Sequence, residues 1–236
     1  MEVIPAIDLR GGQCVRLYQG EYDRATVFDP DPVAVTRRWL AAGARRLHLV
    51  DLDGAFQGSP HNRAAVEAIA QVATAPIQLG GGIRDRATAA AWLDRGVDRV
   101  ILGTLAIEQP DVAAGLLADF GDRILVSLDA RNGFVTTRGW TETSALRLED
   151  ALTKLVDRGL RRVVYTDISR DGTLSEPNFA AIESLVKVSP IPVIASGGVA
   201  RPDHLDQLRA IGVEAVIVGK ALYTGDIPET VLRGAD

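Results

Sequence analysis

The chain has 236 residues, 47% of them hydrophobic and 24% charged, which is enough to bury a large core and argues against a disordered protein. Its net charge is -5 and its basic residues are scattered, which argues against nucleic acid or an anionic membrane as the main partner. The single Cys14 excludes an internal disulfide, and neither zinc-type Cys and His spacing nor an apolar run of about 18 residues occurs. We expect a cytoplasmic protein without a metal.

Short apolar runs alternate with amphipathic segments along the whole chain. Eight runs are predicted strands: VIPAID, RLHLVD, PIQLGG, RVILG, RILVSLD, RRVVYTD, PVIASGG and AVIVG. Amphipathic segments at 32–42, 62–73, 85–95, 111–120, 148–158, 178–187 and 203–211 and a short C-terminal piece are predicted helices. Asp31, Asp85 and Asn178 are predicted N-caps. Strands that are apolar throughout indicate a parallel sheet covered on both faces.

One stretch of the sequence occurs twice, 116 residues apart. Residues 76–107, PIQLGGGIR followed by VDRVILGTLAI, reappear as PVIASGGVA followed by VEAVIVGKALY. Four equivalent pairs share this offset: Gly81 and Gly197, Gly82 and Gly198, Gly103 and Gly219, and Asp51 and Asp167. Two similar halves, at about 1–120 and 121–236, predict an α/β protein with one (β/α)8 TIM barrel. A doubly wound open sheet is the competing architecture.

The marked residues end predicted strands, where a barrel builds its active site. The loops after the first and fifth predicted strands, 9–29 and 130–147, are the longest and are candidate lids. Gly81, Gly82, Gly103 and Thr104 are predicted to form a first phosphate cradle from exposed backbone N–H groups. Ser196, Gly197, Gly198, Gly219 and Lys220 form its counterpart, the second cradle. Two cradles predict a ligand with a phosphate at each end, although a purely structural repeat is the alternative.

Two pairs of aspartates also end predicted strands. Asp8 and Asp129 follow the first and fifth strands and are predicted to face each other across the ligand, as general acid and base catalysis requires. Asp51 and Asp167 are more consistent with a structural or orienting role. Thr166 replaces the Val50 of the first half and brings a hydroxyl to the site.

Further candidates lie in the two long loops. Arg138 and Trp140, in TTRGWTE, could cover a flat ligand, and Arg16 could contact a phosphate or a carboxamide. The three histidines, His48, His61 and His204, are too dispersed for a metal site or a catalytic triad, so we expect structural roles for them.

Seven segments resemble a single family over nearly the whole chain. They are PAIDLRGGQCVRL, LHLVDLDGAFQG, QLGGGIR, VILGTLAI, TDISRDGT, ASGGV and VIVGKAL. They resemble the isomerase family of histidine biosynthesis that acts on phosphoribosylformimino-5-aminoimidazole carboxamide ribotide, ProFAR. The resemblance implies a (β/α)8 barrel that evolved from a duplicated half-barrel, and a substrate with two phosphates.

The resemblance also implies a reaction and residue roles. The reaction is an Amadori rearrangement, in which an aminoaldose ring opens and becomes an open-chain aminoketose without a cofactor. Asp8 is then the base that removes the C2 proton, Asp129 the acid that assists ring opening, and Thr166 a hydrogen-bonding group beside the sugar. Gly172, in TDISRDGT, is among the implied substrate-binding residues. We expect a monomer.

Three other functions stay open at this point. The cyclase subunit of imidazole glycerol phosphate synthase has a similar barrel, but DLDGAF and RGW are isomerase-like, and Arg16 stands where the cyclase has lysine. A bifunctional isomerase that also acts on phosphoribosylanthranilate has an Arg-Gly-Trp segment, whereas PAIDLRGG and GGGIR resemble single-substrate enzymes. A non-catalytic phosphate-binding barrel is the third, and the presence of Asp8, Asp129 and Thr166 together argues against it.

Overall fold

The computed structural model describes residues 1–234, and a ring of parallel strands forms its centre. The strands in that range are β1 (Glu2–Arg10), β2 (Gln13–Tyr18), β3 (Glu21–Asp29), β4 (Leu47–Asp51), β5 (Ile77–Gly80), β6 (Arg99–Leu102), β7 (Ile124–Arg131), β8 (Phe134–Thr137), β9 (Glu142–Arg147), β10 (Val163–Asp167), β11 (Val193–Ser196) and β12 (Ala215–Val218). Eight of them, β1, β4, β5, β6, β7, β10, β11 and β12, pair in parallel in that order. Pairing of β12 with β1 closes the ring, so the predicted barrel is confirmed and the open sheet is not formed.

Helices cover the outside of this ring. They are α1 (Pro32–Ala42), α2 (Leu52–Gln57), α3 (Arg63–Val72), α4 (Arg86–Asp94), α5 (Thr104–Glu108), α6 (Pro110–Phe120), α7 (Leu148–Val156), α8 (Phe179–Val188), α9 (Pro202–Ile211) and α10 (Lys220–Thr224), with 3₁₀ turns at Gly121–Arg123 and Glu229–Arg233. Asp31, Asp85 and Asn178 accept hydrogen bonds from first-turn N–H groups, as N-caps do. The sequence analysis missed α2 and α5, because five or six residues are too few to show a helical period.

The core has two parts, one on each face of the strands. Inside the ring lies a small apolar cluster of Ile4, Ala6, Ile101, Leu125, Val164, Ile194, Ala215 and Ile217. Between ring and helices lies a larger cluster that includes Trp39, Leu79 and Val126. Burial on both faces explains why these strands are apolar throughout.

The two candidate lids are β-hairpins. The loop after β1 contains β2 and β3, and β2 pairs antiparallel with β1. The loop after β7 contains β8 and β9, and β8 pairs antiparallel with β7. Each hairpin therefore extends a barrel strand over the C-terminal mouth. None of the helices described in residues 1–234 is both long and apolar enough to pass through a membrane.

Candidate active site

A cavity of about 1100 Å³, including its open mouth, lies at the C-terminal end of the ring. Ten of the predicted site residues line it: Asp8, Arg16, Gly81, Gly82, Gly103, Thr104, Asp129, Trp140, Thr166 and Ser196. Asp8 and Asp129 are on β1 and β7, which are four steps apart in either direction around the ring. The two carboxylates therefore lie on opposite sides of the cavity, as the repeat predicts.

Asp8 is held by an arginine from the first hairpin. Arg16 Nη1 lies 2.6 Å from Asp8 Oδ2, and the two side chains are only 9% and 13% exposed. Burial raises the pKa of Asp8, and the Arg16 guanidinium opposes that rise. A carboxylate with a raised pKa is a stronger base when it is ionised.

Asp129 uses both of its oxygens as acceptors. Ser127 donates its hydroxyl to Oδ1 at 2.6 Å, and the Trp140 indole N–H donates to Oδ2 at 2.7 Å. Thr166 on β10 is in register with Asp129 on one side and with Ser196 on the other. Its buried hydroxyl-bearing side chain lines the cavity between them.

A third carboxyl group in the cavity is Asp171, which the sequence analysis missed. Burial raises its pKa to about 6, Arg16 opposes the rise, and the charges of Asp8 and Asp129 add to it. The residue 116 positions earlier is Ala55, so the repeat gives no signal for Asp171. Its place in TDISRDGT, one of the segments that carry the family resemblance, is the signal that could have found it.

The first cradle opens into the cavity. Gly81 has φ 102° and lies against the backbone of Asp51, and Gly82 has φ 72° and lies against the backbone of Ser59, so a side chain would fit at neither. These glycines are therefore needed for the fold as well as for any anion. Arg84 also lines the cavity, and it is a cation beside this cradle that the sequence analysis did not single out.

The second cradle is mostly covered. Of its residues only Ser196 lines the cavity, while Gly197, Gly198, Gly219 and Lys220 do not, and neither does Gly172. The Arg16 guanidinium fills the space beside the Gly219 Cα, and Lys220 Nζ donates to the Gly172 carbonyl at 3.1 Å. Gly172 in turn lies against the Leu17 carbonyl of the first hairpin. The hairpin thus closes this side of the mouth.

Arg138 points away from the cavity. Its side chain is 57% exposed and pairs with Glu108 at 3.0 Å and with Glu142 at 3.1 Å. The expected position of this guanidinium over a ligand is therefore not observed, because two carboxylates hold it at the surface. Trp140, from the same turn, does reach the cavity and packs against Gly20 of the first hairpin.

The second aspartate pair has structural contacts in both halves of the barrel. Asn62 Nδ2 donates to Asp51 at 2.7 Å, and Asn178 Nδ2 donates to Asp167 at 2.7 Å. Both asparagines begin a helix, and they too are 116 residues apart. Asp51 also caps α2 through the Gly54 N–H at 2.8 Å.

The histidines differ from one another in their surroundings. His204 is fully buried and packs edge-on against Phe179, a structural placement, and His61 Nδ1 lies 2.8 Å from the Ser59 carbonyl. His48, however, lines the cavity, and burial together with the charge of Arg16 lowers its pKa to about 3. It is therefore neutral near pH 7. Within residues 1–234 no three His, Cys, Asp or Glu side chains are grouped as metal ligands would be.

The fold and this cavity define a (β/α)8 barrel whose mouth brings carboxyl groups and arginines together beside a glycine-rich turn. The chain belongs to the family described as histidine biosynthesis protein, whose model matches residues 2–228. The family resemblance seen in the sequence is thereby confirmed.

Relatives with assigned names are similar over nearly their full length. A protein of Roseiflexus castenholzii is 55% identical over 227 residues, 96% of each chain. One of Chloroflexus aggregans is 55% identical over 233 residues, 98% of this chain and 97% of its own. One of Dehalococcoides mccartyi is 54% identical over 230 residues, 96% of each. All three are named 1-(5-phosphoribosyl)-5-((5-phosphoribosylamino)methylideneamino)imidazole-4-carboxamide isomerase.

Proposed function

We propose that this protein is the aldose–ketose isomerase of histidine biosynthesis that converts ProFAR to its aminoketose by an Amadori rearrangement. The carrying observation is the set of carboxyl groups, Asp8, Asp129 and Asp171, around one cavity in a chain whose relatives bear that name. The relatives carry neither the cyclase name nor a second substrate in their names. They favour the single-substrate isomerase over the alternatives.

The substrate's two phosphates bind at opposite sides of the mouth. Gly81, Gly82, Gly103 and Thr104 hold one phosphate, with Arg84 supplying positive charge. The other phosphate binds at the second cradle, beside Ser196 and Lys220. An acidic protein can hold dianions in this way because backbone N–H groups and single cations act locally.

Asp8 acts as the base. Its Oδ2 is paired with Arg16, which keeps the carboxylate oriented and leaves Oδ1 free to accept a proton from C2 of the sugar. Thr166 hydrogen-bonds near the reacting sugar.

Asp129 and Asp171 are the two candidates for the general acid that protonates the ring oxygen. Each oxygen of Asp129, the acid that the family resemblance implies, already accepts one hydrogen bond, from Ser127 or from Trp140, and these contacts orient the group. Asp171, with a pKa of about 6, carries a proton in part of the molecules near neutral pH. We therefore assign ring protonation to Asp171 and the orientation of Trp140 to Asp129.

The reaction opens the sugar ring and transfers protons, and it needs no external oxidant or reductant. Protonation of the ring oxygen by Asp171 breaks the bond from C1 to that oxygen and leaves an iminium ion. Asp8 takes the C2 proton and an enolamine forms. Return of a proton to C1 and loss of the O2 proton give the aminoketose. No organic cofactor takes part in these steps.

We also infer an oligomeric state and a cellular compartment for this protein. We propose a cytoplasmic protein, supported by a single, buried cysteine, which suits a reducing compartment, and we propose that it is a monomer. Light scattering of the purified protein tests the monomer.

Substitution of the three carboxylates tests the proposed function. Asp8→Asn and Asp171→Asn should each lower kcat on ProFAR by about a thousandfold while the dissociation constant for the product changes little. Asp129→Asn should have a smaller effect, because Trp140 can still donate to the amide oxygen. A wild-type protein that binds ProFAR without turnover would instead indicate a binding barrel, and loss of kcat in Asp129→Asn alone would return the acid role to Asp129.

A further inference from the structure

The turn between β8 and β9 has an unusual backbone. Arg138, Gly139 and Trp140 are three consecutive residues in the left-handed region, with φ of 53°, 62° and 70°. Residues other than glycine rarely adopt such values, and each costs free energy that neighbouring contacts must offset. Specific contacts must therefore hold this turn in place.

Two of these contacts come from α5. The Arg138 backbone N–H donates to Thr104 Oγ1 at 2.8 Å, and the Arg138 guanidinium pairs with Glu108 at 3.0 Å. Thr104 and Glu108 are the first and last residues of α5, which follows Gly103 of the first cradle. The helix that begins at the cradle thus holds the turn at two points.

The turn also contacts Asp129, a carboxylate that lines the cavity. Trp140 donates its indole N–H to Asp129 at 2.7 Å, and its ring packs against Gly20 of the first hairpin. The position of the turn therefore fixes both Trp140 and the hydrogen bond on Asp129.

The Thr104 side chain contacts the turn and also lines the cavity. Its oxygen accepts the Arg138 N–H, so its own hydroxyl proton is free, and the buried side chain lines the cavity. If that proton is donated to an anion in the first cradle, the oxygen becomes a better acceptor for Arg138, because linked hydrogen bonds strengthen one another.

We propose that Thr104 and Glu108 are positioning residues that hold Trp140 against Asp129, and that the Thr104 hydroxyl makes this hold depend on an anion in the first cradle. The inference rests on the proposed function, since it takes that anion to be a phosphate of the substrate. Arg138 then acts through the turn and not through the ligand.

Fluorine NMR of the protein labelled with 5-fluorotryptophan tests this proposal. The chain has three tryptophans, Trp39, Trp92 and Trp140, and Trp140→Phe assigns the resonance of interest. Inorganic phosphate is the titrant. In the wild type and in Thr104→Ser, which keeps the hydroxyl, phosphate should shift the Trp140 resonance to saturation. In Thr104→Val the resonance should differ from wild type before phosphate is added and should not respond to it.

Glu108→Gln separates positioning from electrostatics. Loss of a negative charge near the cradle would by itself tighten phosphate binding, whereas loss of the hold on Arg138 should weaken it, by at least about 5-fold. Glu142→Gln is the matched control, because it removes the other carboxylate on Arg138 without touching α5. Tighter or unchanged binding in Glu108→Gln, or a wild-type Trp140 response in Thr104→Val, would overturn the proposal. These readouts use no turnover, so they stand apart from a failure of ProFAR isomerisation.

Discussion

Arg16 and Asp8 form an ion pair 2.6 Å long at the floor of the barrel mouth, and both side chains are nearly buried. β2 folds back antiparallel on β1 with Asp8 in register with Val15, so Arg16 follows directly after the residue opposite Asp8. The proposed base therefore gains its cation from the hairpin that also covers the mouth. The position of the hairpin therefore determines whether the proposed base has a cation beside it.

Removal of this cation should impair the base. In Arg16→Met, kcat/KM should fall by about 100-fold, and the acidic limb of the pH profile should move to higher pH, because Arg16 opposes the rise in the pKa of Asp8. A pH series of kcat/KM measures both effects. Arg24→Met is the control, since Arg24 lies in the same hairpin and makes an exposed ion pair with Glu21. An equal loss in the control would contradict a specific role for Arg16.

Alanine substitution should have different effects on the kinetics at two equivalent glycines. Gly103 and Gly219 have nearly the same backbone, with φ of -107° and -106°, but Arg16 fills the space beside Gly219, while the space beside Gly103 is open. Gly219→Ala should displace Arg16 and lower kcat by about 10-fold or more. Gly103→Ala should instead raise KM, because its methyl group enters the first cradle. Steady-state kinetics of the two variants show the split; the same change of kcat in both would argue against it.

Asp171 should make the stability depend on pH. Its pKa rises from 3.8 in the unfolded chain to about 6, so between those values the folded state binds more protons and stability falls as pH increases. Asp171→Asn removes this loss. The variant should gain on the wild type between pH 4 and 6, by up to about 3 kcal/mol, and the difference should stay constant above that range. Urea unfolding at several pH values measures it, and a constant difference from pH 4 to 7 would refute the raised pKa.

Asn62 should matter more for folding than for catalysis. Its amide donates to Asp51, which is 1% exposed, so Asn62→Ala leaves a buried carboxylate without that donor and should cost about 2 kcal/mol of unfolding free energy. Gln71→Ala, on the exposed face of α3, is the control and should cost little. Equal midpoints of thermal unfolding in the two variants would contradict this role.

Much of the fold follows from periodicity and from the repeat. Apolar runs such as RVILG predicted the barrel strands, because a parallel barrel buries both faces of every strand. The spacing of Gly103 and Gly219 predicted the two halves. The hairpins were read as loops because their outer strands, β3 and β9, are mostly exposed and so lack an apolar pattern.

The site was predicted where symmetry marks it and missed where symmetry is absent. Asp8 and Asp129 end equivalent strands and line the cavity together. Asp171 has no counterpart in the first half, and Arg84 has none in the second. The direction of the Arg138 side chain depends on Glu108, thirty residues away in the chain and close only in the fold.

The most direct test of this account is the steady-state turnover of the purified protein with ProFAR and, in parallel, with phosphoribosylanthranilate. The two substrates undergo the same Amadori chemistry but carry different aromatic groups. The account predicts turnover of ProFAR and none of phosphoribosylanthranilate, in keeping with an Arg138 side chain that points away from the ligand. Turnover of both would assign the bifunctional enzyme, and turnover of neither would contradict the account.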